Sequence, residues 1–154
     1  MEKVIDFATN PYLLTAISSW LIAQFLKLII YTIANRKFDI SRLYGDGGMP
    51  SGHSATVSSL AVICGLSEGF GSVAFALAFV FAMIVCHDAM GVRRETGKQA
   101  VILNEILESF NLLAKKNLPE EKLKEFVGHT PVQVFSGVLL GIVNAIVMYF
   151  LLIK

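Results

Sequence analysis

Charge is what this sequence has least of. Lysine and arginine number 13 and aspartate and glutamate 12 in 154 residues, 16% together, against 55% hydrophobic residues and a mean hydropathy of +0.64. Soluble domains carry about a quarter charged residues, so this balance excludes an ordinary water-solvated surface and points to a chain solvated by lipid. A net charge of +1 builds no basic patch, and nucleic acid is not expected as a partner. Cysteine is scarce as well. Cys64 and Cys86 stand apart in apolar stretches without a CxxC pair, and both read as buried, reduced and structural. No cluster of carboxylates suggests a metal, and no cofactor is expected. The N-terminus, MEKVIDFATN, lacks the basic n-region, short apolar core and small-residue cleavage site of a signal peptide, so the mature chain is read as the whole chain. No internal repeat or low-complexity segment is visible.

What is present is a series of apolar runs. The first, residues 11–33, crosses a hydrocarbon core of roughly 30 Å with some tilt. A small-residue run at 51–66 and an apolar run at 72–89 are shorter, and neighbours are expected to shelter them. The last run covers 131–153. Between them, residues 95–127 are amphipathic: Leu103, Ile106, Leu107, Phe110, Leu113 and Ala114 recur at helical spacings, and Pro119 reads as the first turn of a second short helix. The expected fold is all-α: one integral membrane domain over 1–154, a polytopic bundle of about four spans with an amphipathic cytoplasmic helical hairpin at the interface.

Ten of the 13 basic residues lie in two loops, Arg36, Lys37 and Arg42 in the first and Arg93, Arg94, Lys98, Lys115, Lys116, Lys122 and Lys124 in the third. The positive-inside rule places those loops in the cytoplasm and both termini outside. Four spans then bring GGMPSGHSA (47–55), HDAMGVRRETGKQA (87–100) and GHTPVQVFSGVLLG (128–141) to one face.

Taken singly, each motif has an ordinary reading. Pro50 and Ser51 suit a helix start with His53 at its wet end. Arg93 and Arg94 suit anchors at the inner face, and His87 beside Asp88 a boundary histidine. Lys27 is different: a lysine deep in an apolar span is costly unless it faces an interior. Trp20, Gln24, Lys27 and Tyr31 share its helical face, which is expected to point into the bundle. Together the set suits a phosphate. Guanidinium forks match phosphoryl oxygens, lysine adds a point charge, and a helix start offers backbone N–H groups. One histidine can attack while the other protonates the leaving oxygen.

The three segments resemble the signatures of the divergent branch of the type 2 phosphatidic acid phosphatases, related to vanadium-dependent haloperoxidases. The resemblance implies a helical membrane phosphatase in which His53 is the general acid and His129 the nucleophile, with Ser51, Gly52, Lys27, Arg93 and Arg94 around the phosphate. It also implies membrane lipids and a phosphate-bearing lipid substrate as partners; the location expected is the cell membrane, and the loop charges put the active face on the cytoplasmic side. Several positions depart from the main superfamily. Lys27 is followed by Arg36 at nine residues with no proline, rather than by Arg-Pro at seven; the arginine expected six residues before His129 is Leu123; and the aspartate expected four residues after it is Gln133. Glutamine can orient an imidazole but cannot balance its charge, so Asp88 or Asp46 is a candidate supporting carboxylate. Four spans against the superfamily's six leave a minimal bundle or a homo-oligomer.

Gln133, Gly137, Gly141 and Asn144 form one stripe, and Ser54, Ser58, Ala61 and Gly65 another. Packing of the two is expected to draw His53 toward His129. Three functions follow: a metal-independent phosphatase acting on a lipid or isoprenoid phosphate monoester or diphosphate through a phosphohistidine; an inactive relative that binds phosphate-bearing lipids or partners; and a small transporter, supported only by Gln24 and Lys27.

Overall fold

The computed structural model describes residues 1–40, 48–114, 123 and 128–154. Arg42, Asp46, Lys115, Lys116, Lys122, Lys124 and the expected second arm of the interfacial hairpin at Pro119 lie outside the described residues. Every regular element described is helical: α1 (Glu2–Ala8), α2 (Pro11–Asn35), α3 (Gly52–Glu68), α4 (Val73–Met90), α5 (Val92–Ala114) and α6 (Pro131–Leu152).

The starts of the helices follow from local chemistry. Asn10 accepts the Tyr12 and Leu13 N–H groups at 3.0 and 3.2 Å ahead of Pro11, Ser51 accepts from Ser54 at 3.3 Å, and Ser72 from Phe75 at 3.1 Å. Thr130 and Gln133 form a capping box before α6, with Pro131 in its first turn. Each cap satisfies donors that the helix cannot satisfy itself, which weighs heavily where water is scarce.

α2, α4 with its continuation into α5, and α6 are long and apolar enough to cross a membrane. α3 has 17 residues, roughly 26 Å, and packs against all three of these helices. It is small-sided almost throughout, burying Gly52, Ser54, Ala55, Ser58, Ser59, Ala61 and Gly65. Its hydroxyls turn onto its own backbone, Thr56 to Gly52 O at 2.8 Å, Ser58 to Ser54 O at 2.6 Å and Ser59 to Thr56 O at 2.9 Å. At these three positions polar residues therefore line the helix with their hydroxyls paired.

The closest seam is α3 against α6. A Cβ on Gly137 would meet the Ser51 carbonyl oxygen and lie 3.1 Å from Ser54 Cβ; one on Gly141 would meet the Ser58 hydroxyl and lie 3.0 Å from Ser59 N. Between apolar helices in lipid, association rests on such close packing rather than on the hydrophobic effect. Asn144, the last member of the α6 stripe, departs from the expected partner. It faces α2, donating to Ser19 Oγ at 2.7 Å, Ser18 Oγ at 2.9 Å and Thr15 O at 3.2 Å.

On α2 the buried positions are Thr15, Ala16, Ser19, Ala23, Lys27 and Leu28. The expected inward face is thus rotated: Trp20 is exposed at the rim, with its indole edge over Gly52. α4 turns Ala82 inward to Val57 and Ala61 and leaves Leu77, Phe79, Phe81 and Met83 exposed. Across Gly91 the chain continues almost unbroken into α5, whose Leu103, Ile106, Leu107 and Phe110 are exposed along one side. Asn104 on α5 holds residue 123 through two 3.0 Å bonds to the Leu123 backbone.

Candidate active site

Three helix ends converge at one end of the bundle. The Ser51 N–H, at the start of α3, donates to Gln133 O in the first turn of α6 at 3.0 Å, and the His129 N–H donates to Ala89 O in the last turn of α4 at 2.9 Å. Both bonds engage helix-terminal groups, and both run main chain to main chain. Gly128 makes the approach possible: it sits at φ 90°, and a Cβ there would collide with the backbone of Arg93 and Arg94. Glycine is the residue that tolerates both conditions.

The geometry brings His53 and His129 together, with ring centroids 6.5 Å apart and planes tilted by 54°. His53 is exposed on the first turn of α3, whereas His129 is 4% exposed. Between them opens a cavity of about 250 Å³ lined by His53, Ile84, Val85, Asp88, Ala89, Arg93, Gly128 and His129. Ile84, Val85 and Ala89 make its α4 wall mainly aliphatic, with Asp88 the one charged residue there.

Arg93 reaches this cavity and donates from Nε to Asp88 Oδ2 at 2.7 Å; the two side chains are 52% and 41% exposed. The remaining expected residues take other positions. Arg94 is exposed and does not line the cavity. Ser51 is wholly buried, its hydroxyl engaged by Ser54 N and Ser54 Oγ, so it serves as a cap. Gly52 packs beneath Trp20 and Gln24. Lys27 is 4% exposed and runs its stem behind Gly48, with Cγ 3.0 Å from where a Cβ on that glycine would stand. His87 is exposed and outside the cavity wall, while its neighbour Asp88 is part of that wall.

Gln133 orients the nucleophile candidate. Its Oε1 accepts the Thr130 N–H at 3.0 Å, which only the amide oxygen can do, and the same oxygen lies 3.2 Å from His129 Nδ1. With that oxygen as acceptor Nδ1 is the donor, and in the neutral ring Nε2 then keeps its lone pair. The capping box that starts α6 thus also selects the imidazole tautomer. That double use was open to sequence reasoning in the spacing of Thr130 and Gln133. The roles of Ala89 and Gly128 were not, since each depends on a neighbour distant in the chain.

A helical membrane protein with two histidines, an arginine and a carboxylate around one cavity is the class that fold and site define. The model of the Divergent PAP2 family matches residues 8–144, and the chain belongs to that family. It is 39% identical over 153 residues, covering 94% of this chain and 97% of the relative, to a Bacillus subtilis (strain 168) protein described as uncharacterized membrane protein YuiD. No solved structure matches the chain.

Proposed function

We propose that this protein is a membrane phosphatase that removes phosphate from a lipid or isoprenoid phosphate through a phosphohistidine. The observation that carries the reading is the histidine pair, 6.5 Å apart across a cavity that also holds Arg93. Family membership supports the phosphatase relationship, and the aliphatic Ile84, Val85 and Ala89 of the α4 wall suit an amphiphile.

The chemistry follows from the tautomer. His129 Nε2 attacks phosphorus, the N–P bond forms as the P–O bond to the alcohol breaks, and protonated His53 gives its proton to the departing oxygen. His53, now neutral, takes a proton from water as that water attacks the phosphohistidine, releasing phosphate and restoring His129. Arg93 stabilises charge developing on the phosphoryl oxygens. The active face is cytoplasmic in this reading.

A second reading rests on one specific difference. With Gln133 where a carboxylate would balance the imidazolium, and Arg94 outside the cavity wall, the protein binds phosphate-bearing lipids without turning them over. Phosphate release from a panel of lipid and isoprenoid phosphates by purified protein in nanodiscs separates the two. Release that is lost in His53→Ala and His129→Ala supports the phosphatase. Arginine-dependent binding without release supports the inactive relative.

A further inference from the structure

Asp88 has no part in the chemistry above, yet it stands in the same cavity wall as both histidines. A carboxylate beside a phosphate-binding arginine calls for an explanation, because it repels the ligand that the arginine attracts. Resting on the phosphatase reading, we infer that Asp88 makes the cavity selective for phosphoryl groups that carry a single negative charge: phosphodiesters and singly protonated monoesters rather than dianions.

The charges of the lining residues lead there. α4 contributes Asp88, α5 contributes Arg93, α3 contributes His53, and the segment before α6 contributes His129. Asp88 and Arg93 pair through Oδ2 and Nε at 2.7 Å and cancel. His129 is neutral when poised to attack, its Nδ1 proton directed to Gln133. His53 carries one positive charge when it holds the proton for the leaving oxygen. Among the described lining residues the working site is therefore singly positive, which matches a monoanion and leaves one charge of a dianion uncompensated. Lys27 and Arg94 do not line the cavity.

The pairing geometry allows Arg93 to serve both partners. Its Nε N–H is given to Asp88, while the other four N–H donors of a guanidinium lie on the terminal nitrogens. Among the described residues Arg93 makes its one hydrogen bond through Nε, so phosphate can be bound on the terminal nitrogens while the carboxylate stays on the other edge. Asp88 is then not displaced on binding. Its charge remains within the roughly 8 Å span of a cavity this size and is felt twice as strongly by a dianion as by a monoanion.

The test uses full-length protein in zwitterionic nanodiscs at mildly acidic to neutral pH and two probes with one chain: 1,1-difluorohexylphosphonate, largely a dianion there, and its monomethyl ester, a monoanion. Calorimetry gives both affinities for wild type, Asp88→Asn, Asp88→Glu and Arg93→Gln. The expected result is that Asp88→Asn shifts the affinity ratio toward the dianion by about fivefold, after allowance for solvent screening of half-exposed groups. Asp88→Glu keeps the wild-type ratio, and Arg93→Gln weakens both probes. Equal changes for both probes in Asp88→Asn, or an unchanged ratio, overturn the inference and leave the phosphatase reading standing. Failure of wild type to bind either probe overturns both.

Discussion

Gln133 Oε1 lies 3.2 Å from His129 Nδ1 and also takes the Thr130 N–H at 3.0 Å, so the proton between glutamine and imidazole belongs to the imidazole. An amide in this position orients the ring and leaves its developing positive charge unbalanced.

Replacing Gln133 therefore tunes chemistry separately from geometry. Gln133→Asp keeps an acceptor and adds a charge, and is expected to raise kcat for phosphate release about tenfold. Gln133→Leu removes the acceptor and is expected to lower kcat about 100-fold, with nitrogen NMR of His129 reporting a mixture of tautomers. A single Nδ1–H tautomer in the leucine variant would defeat this account.

Gly137 and Gly141 leave no room for a methyl group against α3, where the Ser51 carbonyl and the Ser58 hydroxyl already stand. Gly137→Ala and Gly141→Ala are each expected to cost about 1–3 kcal/mol through overpacking, read as a lower unfolding temperature in detergent. Activity should fall with stability, since the same seam sets the approach of His53 to His129. Unchanged unfolding in both variants would contradict the packing described here.

Asn144 offers the complementary case, a polar tie remote from the chemistry. Its bonds to Ser18, Ser19 and Thr15 join α6 to α2 about 20 Å along the helix from the active end. Asn144→Leu is expected to lose about 0.5–2 kcal/mol of stability with kcat within about twofold of wild type. A loss of activity without loss of stability would show that the tie does more than hold helices together.

Membrane orientation is checked by labelling. In a background where Cys64 and Cys86 are serine, Gly71→Cys lies in the turn between α3 and α4 with open space around its Cβ position, and Thr130→Cys lies at the opposite end of the bundle. Basic loops on the cytoplasmic side predict that an impermeant maleimide labels the first in intact cells and the second only after permeabilisation. The reverse pattern would invert the protein and move the active face outside.

The helical membrane architecture was legible because apolar runs and their caps are local signals: Asn10 before Pro11, Ser72 before the α4 run and Thr130 before Pro131 each announce a helix. Partners were less legible. Spacing shows that Gly137, Gly141 and Asn144 share a stripe, but a stripe can face two neighbours, and Asn144 meets α2 while the glycines meet α3. Trp20 was misplaced for a related reason. Helical periodicity defines its face only to within a residue or so, and a large amphipathic ring at that margin goes to the rim while Ser19 and Ala23 take the interior. In the site, the meeting of His53 with His129 and Arg93 could be anticipated from motifs ending on one side. The burial of Ser51 and the position of Arg94 outside the wall depend on side-chain directions that no motif encodes.

The two main-chain bonds at the active end, Ser51 to Gln133 and His129 to Ala89, carry a consequence for how such a protein can change over generations. An N–H to carbonyl bond needs no particular side chain on its own two residues, proline at the donor excepted, so the constraint falls on the neighbouring Gly128 and Gly137 that let the backbones approach. The scaffold is therefore indifferent to most of what is attached to it. Cations and carboxylates can change segment while the two main-chain bonds go on holding the ends of α3, α4 and α6 together.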